Sequence, residues 1–102
     1  MGTIKRSVEV EQVLNSYPGV VQSAVVGRTV GHNEEVIAFV EPVRGTMLDD
    51  SRLREYVRER LSPYKVPSEI RFLAQLPSAP SGKVLKSVLK ELARQKLDDR
   101  MS

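Results

Sequence analysis

The chain contains no cysteine and no tryptophan, and its one histidine is His32. Without cysteine there is no disulfide framework, no thiolate nucleophile and no zinc–cysteine cluster. A lone imidazole does not build a metal site, and no carboxylates stand at the spacing of a calcium loop. Only Phe39, Phe72, Tyr17, Tyr56 and Tyr64 are available to stack on a base, and no zinc-finger, KH-loop or RNP pattern accompanies them. A nucleic-acid partner is therefore not expected. No apolar run approaches the roughly 20 residues of a membrane span. The N-terminal MGTIKRSVEVEQ lacks the apolar stretch of a signal peptide, and Arg6 occupies the position where a myristoylation signal carries Ser or Thr. Zero cysteine and no export segment together point to the cytoplasm.

What remains is 102 residues with 40% apolar and 28% charged side chains, the composition of a folded protein. A chain of 11.4 kDa buries about two thirds of its unfolded surface, enough for one modest core and too little for two. A complete two-domain synthetase, dehydrogenase or kinase does not fit. The net charge of +3 is unevenly spread. Residues 63–96 hold seven basic side chains against Glu69 and Glu91, while the rest of the chain is slightly acidic. Such a half either faces phosphates or is a solubilising helix face.

Periodicity gives the order helix, two strands, helix, strand, helix. Val10, Val13, Leu14 and Tyr17 share one helical face, with Ser7 as N-cap and Pro18-Gly19 as the stop. VVQSAVVG (20–27) and EEVIAFVEP (34–42) read as neighbouring strands of a hairpin, and the apolar centre of the second implies cover on both faces. His32 falls in the turn between them. Asp49, Asp50 and Ser51 open a helix whose apolar face is Leu53, Tyr56, Val57 and Leu61, and Ser62-Pro63 closes it. A short strand follows over 70–73. The last helix spans about 86–96, with Leu85, Val88, Leu89, Leu92 and Ala93 inward and Lys86, Lys90 and Arg94 outward. Tyr64 and Phe72, each beside apolar neighbours, are expected as core anchors. Glu9 and Glu11 are expected to be solvated or near the helix N-terminus and not to be ligands, and the tail 97–102 to fray. The fold class is α+β: a small mixed or antiparallel sheet of about three strands packed with three amphipathic helices.

Chemistry points to the loop LPSAPSGKVLK. Lys83 follows Gly82 where a loop opens a helix. A lysine there is a compact, mobile positive charge able to reach a carboxylate or a phosphoryl oxygen and to stabilise charge that develops in a transition state. Gly82 permits a tight turn, and Pro77 and Pro80 restrict the loop. The nucleotide-hydrolase phosphate loop is not matched: Pro77 stands where its first glycine belongs, and Val84 where Ser or Thr must follow the lysine. By composition and periodicity alone, an ordinary surface turn remains open.

Several ordered phrases then carry a resemblance: Tyr64-Lys65-Val66-Pro67, Ile70-Arg71-Phe72, Leu76-Pro77, Ser81-Gly82-Lys83, Val84-Leu85-Lys86 and Leu89. Together with SAVVGRTVGHNEEVIAFV they make the chain, from about Ile4 to Leu92, similar to the C-terminal domain of the adenylate-forming superfamily. That superfamily includes acyl-CoA synthetases, aryl-CoA ligases, luciferases and peptide-synthetase adenylation domains. The resemblance implies a small lid domain over residues 1–102, whose large N-terminal domain is absent from this chain and is its principal partner. It implies that Lys83 is the lysine of acyl-adenylate formation from a carboxylic acid and ATP. The acyl group then passes to a thiol, of coenzyme A or of a carrier protein, and the domain swings between the two steps. It implies ATP, Mg²⁺ and coenzyme A as cofactors, held mostly by the large domain, so that the isolated chain is inactive. Gly82, Lys65 and Lys86 are the residues it offers for cofactor contact, the two lysines toward the phosphates of coenzyme A.

The chain departs from the family pattern in three places. The large domain and the hinge residue before the small one are missing. A glycine-containing turn and a proline are missing between Ser7 and Val8, where the family reaches the active site during thioester formation. In GRTVGHNEE, Asn33-Glu34 stands in place of a Gly-Glu pair. Two other readings stay open on the residues: a non-catalytic partner-binding domain, and a small basic nucleic-acid binder.

Overall fold

A computed structural model describes the backbone of residues 2–101 and the side chains of residues 8–29 and 31–94. The elements run α1 (Gly2–Asn15), β1 (Val20–Val30), β2 (Asn33–Pro42), α2 (Asp50–Arg60), a single 3₁₀ turn (Pro63–Lys65), β3 (Glu69–Phe72) and α3 (Lys86–Met101). The order and the α+β class are those read from the sequence. The bounds differ: β1 is three residues longer, β3 begins one residue earlier, and α3 continues past Lys96. Ser7, expected as a cap, lies within α1, and no turn interrupts that helix between Ser7 and Val8. The side chains of Ser7 and of the tail expected to fray are outside the described residues.

The three strands form one mixed sheet in the order β1-β2-β3. β1 and β2 are an antiparallel hairpin, with Val25 opposite Ala38 and Val26 opposite Ile37. β3 lies parallel to β2, with Ile70 opposite Ala38. A parallel neighbour needs a crossover, and α2 supplies it. Asp49 starts α2 by accepting the Ser51 N–H (2.8 Å), Asp50 sits in its first turn, and Arg58 and Arg60 lie near its carbonyl end.

The sheet divides the interior in two, where chain length had suggested a single core. Val10, Leu14, Val25, Ala38, Val40, Leu53, Val57 and Ile70 pack between the sheet and the α1–α2 layer. Ala24, Val26, Ile37, Phe39, Leu76, Leu89 and Ala93 pack between the sheet and α3. The cause is the apolar run of β2. Successive side chains point to opposite faces, so Ile37 and Phe39 serve one layer while Ala38 and Val40 serve the other.

Four residues assigned inward lie outside. Leu85 precedes α3 and is exposed, as is Val88, the residue just before buried Leu89. Tyr64 is 66% exposed on the 3₁₀ turn, and Phe72 lies open at the end of β3. Apolar sequence neighbours do not say which way a residue points when it ends an edge strand or sits in an irregular link.

Candidate functional site

Residues 76–85 form a braced hairpin loop. Leu76 is fully buried against α3, and its N–H donates to Glu41 Oε1 at 3.1 Å. The Leu85 N–H donates to the Pro77 carbonyl at 2.9 Å, and Ser78 bridges to Val84. At the tip, the Ala79 N–H donates to the Lys83 carbonyl and the Gly82 N–H to the Ala79 carbonyl, both at 2.8 Å. Three residues, Pro80, Ser81 and Gly82, thus close the turn. Gly82 takes φ +93° with no atom within 4 Å of a would-be Cβ. The glycine is there for its backbone conformation, which L side chains rarely adopt, and not for space.

Lys83 leaves this turn exposed to solvent, while Val84, the next residue, packs on the α3-side core. Lys83 borders an open groove of about 590 Å³ lined by Glu11, Ser23, Ala24, Val84, Leu85, Lys86 and Ser87. Lys83 and Lys86 therefore line one groove, from the loop and from the start of α3, with Gly82 beside Lys83 in the turn.

The three sequence-selected lysines have different surroundings. Lys86 Nζ is 2.6 Å from Glu11 Oε2, and the same carboxylate oxygen accepts the Val25 N–H at 2.7 Å. Lys65 is away from the groove, on the 3₁₀ turn, where it pairs with Glu9 of α1. Glu9 thus pairs with Lys65 and stays exposed, as expected, whereas Glu11 pairs with Lys86 and is half-buried, contrary to the expectation that it would be solvated. Among the described residues no carboxylate pairs with Lys83.

Behind the loop, two arginines fasten α3 to the sheet. Arg71 Nη1 donates to the Leu92 carbonyl (2.7 Å) and Nη2 to the Ala93 carbonyl (3.1 Å), while Nε pairs with Glu69 at 3.0 Å. Arg28 donates to the Ala93 carbonyl (3.1 Å) and pairs with Glu35 at 2.6 Å and Glu69 at 3.4 Å. Sequence reading missed these anchors, and Glu11 and Glu41 with them. The backbone groups they meet lie on distant elements and leave no local signal, whereas Glu69 is two positions from Arg71 and Glu35 faces Arg28 across the hairpin.

The geometry has a counterpart in known proteins. Residues 9–83 match the family described as AMP-binding enzyme C-terminal domain. The chain belongs to that family. It is 39% identical over 77 residues to a sulfoacetate–CoA ligase from Cupriavidus necator, covering 74% of this chain and 15% of that protein. It is 43% identical over 79 residues to a feruloyl-CoA synthase from an Amycolatopsis species, covering 76% and 16%. Among solved structures, an acyl-CoA synthetase from Brucella canis superposes with a TM-score of 0.81 at 33% identity, over 89% of this chain and 18% of that one. An amide bond synthetase from Marinactinospora thermotolerans gives 0.79 at 34%, over 84% and 18%. This domain of the AMP-binding enzymes thus spans less than a fifth of each relative's length.

Among the described residues no helix is long and apolar enough to cross a membrane. Nor do three or more His, Cys, Asp or Glu side chains gather where they could hold a metal ion. One carboxylate, Glu11, lines the groove and it is held by Lys86, so the groove alone does not make a Mg²⁺ site; it offers a nucleotide cationic and hydroxyl side chains but no aromatic ring.

Proposed function

We propose that the chain is the mobile C-terminal domain of an ATP-dependent acyl- or aryl-CoA synthetase, and that Lys83 serves acyl-adenylate formation. The observation that carries this reading is the contrast among the three lysines singled out by the sequence: Lys65 and Lys86 are engaged by glutamates of α1, whereas Lys83 is exposed on a braced turn with no carboxylate partner among the described residues. Family membership across residues 9–83 supports it.

In adenylation, a carboxylate oxygen attacks the α-phosphorus of ATP, the bond to the pyrophosphate oxygen breaks, and acyl-adenylate and pyrophosphate form. Lys83 contributes a positive charge with up to three N–H donors, aimed at the oxygens on which charge shifts. The loop's hydrogen bonds fix its starting point, which lowers the reorganisation needed to reach the reacting centre. One lysine does not orient ATP and an acid, so the large N-terminal domain supplies the carboxylate pocket, most nucleotide contacts and the Mg²⁺ ligands. The relatives named as CoA ligases support coenzyme A as acceptor. Any phosphate contact made by Lys65 or Lys86 competes with Glu9 or Glu11.

The test is carboxylate-dependent ATP–pyrophosphate exchange by the full polypeptide carrying this domain. Lys83→Ala should slow exchange by about 10²–10³-fold, the usual loss for one electrostatic donor. Thioester formation from supplied acyl-adenylate should change far less. Equal losses in both half-reactions would remove Lys83 from the first. The isolated 102-residue chain should not support exchange.

A further inference from the structure

We infer that Glu41 and Glu11 are positioning residues that clamp the two ends of the Lys83 loop, an inference that rests on the adenylation role proposed for Lys83. At the near end, Glu41 stands opposite Gln22 in the β1–β2 ladder, and its Oε1 accepts from Gln22 Nε2 at 2.8 Å. The carboxylate is thus fixed by its cross-strand neighbour, and the same oxygen accepts the Leu76 N–H. That bond holds the backbone of the loop's first residue, whose side chain is already sunk in the α3-side core.

At the far end, Glu11 reaches from α1 to the outer edge of β1, where the Val25 N–H has no strand beside it. Through the same oxygen it holds Lys86, the first residue of α3 and three positions beyond Lys83. Between the clamps, the turn's own hydrogen bonds and the packed Val84 leave little freedom except in the Lys83 side chain. The two carboxylates do not touch substrate. They set where the charge begins its reach, and a displacement of about 1 Å at such a position is enough to cost two orders of magnitude in rate.

Amide hydrogen exchange on the 102-residue chain separates this role from general stabilisation. In Glu41→Ala, the Ala79, Gly82 and Leu85 amides should exchange about tenfold faster or more, the scale of one lost charge-assisted hydrogen bond. The amides of the β1–β2 ladder should hold their protection. Glu41→Gln keeps an oxygen for the Leu76 N–H and should restore most of the loop's protection. Glu11→Gln keeps an acceptor for Val25 but loses the ion pair with Lys86, so Leu85 should open while Val25 stays protected. Uniform acceleration of loop and ladder overturns the inference, and so does an unchanged loop. In the full polypeptide, Glu41→Ala should lower the maximal pyrophosphate-exchange rate with little change in the KM of the acid. If Lys83→Ala leaves exchange intact, the adenylation role falls, while the exchange pattern still decides whether the loop is clamped.

Discussion

Replacing Arg28 by alanine tests how α3, and with it the far end of the lysine loop, is held to the sheet. The Arg28 side chain is 8% exposed and meets Glu35 at 2.6 Å, Glu69 at 3.4 Å and the Ala93 carbonyl at 3.1 Å. Removing one partner of a buried ion pair costs about 3–5 kcal/mol, because the other charge is left uncompensated. Two features reduce that here. Glu35 is 34% exposed and can be rehydrated, and Glu69 and the Ala93 carbonyl both keep Arg71. The expected loss is therefore about 2–3 kcal/mol. With a urea slope of about 1.5 kcal/mol/M for a small domain, the midpoint should fall by about 1.3–2 M. Arg28→Met should lose less, since it keeps the packed stem and removes the buried Nε, which has no partner. Added salt at 0.5 M should leave most of the difference, because a buried pair is weakly screened. The exposed Arg58–Glu55 pair is the internal control, and Arg58→Ala should change stability by less than about 0.5 kcal/mol. An Arg28→Ala loss no larger than that control, or one that vanishes in salt, would show that the network is a surface pair and does not anchor α3.

Two further substitutions address the loop and the misassigned aromatics. Gly82→Ala places an L side chain at φ +93° with no contact to relieve or worsen it, so the cost is backbone strain of about 1–2 kcal/mol. It should appear as faster exchange of the Ala79 and Gly82 amides, and unchanged protection would mean that the turn tolerates a Cβ. Tyr64→Ser should change the urea midpoint by no more than about 0.5 kcal/mol equivalent, as for other exposed sites. A loss near the 3–5 kcal/mol of a buried aromatic would return the ring to the core.

Readable features of the sequence were those whose cause is local. Val10 with Leu14, Leu53 with Val57 and Leu89 with Ala93 recur at helical spacing, and all six are buried. The unbroken apolar run of β2 foretold cover on both faces, and two helical layers provide it. The loop was legible for the same reason, since Pro80, Ser81 and Gly82 encode their own turn. Leu85 lies one residue before the helix starts, so helical phase does not govern it, and Val88, inside the helix, stands at the exposed border of the apolar stripe. The polar anchors were not legible at all. Glu11 meets a backbone N–H 14 positions away, Glu41 one 35 away, and Arg28 a carbonyl 65 away. Periodicity reports which face of an element is apolar, and says nothing about which carboxylate will meet an amide on another element.

Those same anchors change the meaning of the basic C-terminal half. Read along the chain, its excess charge suggests a broad phosphate-facing surface. In the fold, Lys65 meets Glu9, Arg71 meets Glu69, and Lys86 meets Glu11. Two of these three glutamates come from α1, at the opposite end of the sequence. A lysine three positions from Lys83 and free to move would offer an anion a second place to bind. Held by Glu11, Lys86 offers a satisfied charge, and an incoming anion must compete with a carboxylate 2.6 Å away. Lys83 has no such competitor among the described residues. Of the two lysines that line the groove, the pairing therefore leaves the one on the stiff turn as the freer site for an anion. Selectivity between two neighbouring lysines of the same intrinsic chemistry is achieved by what each one already holds.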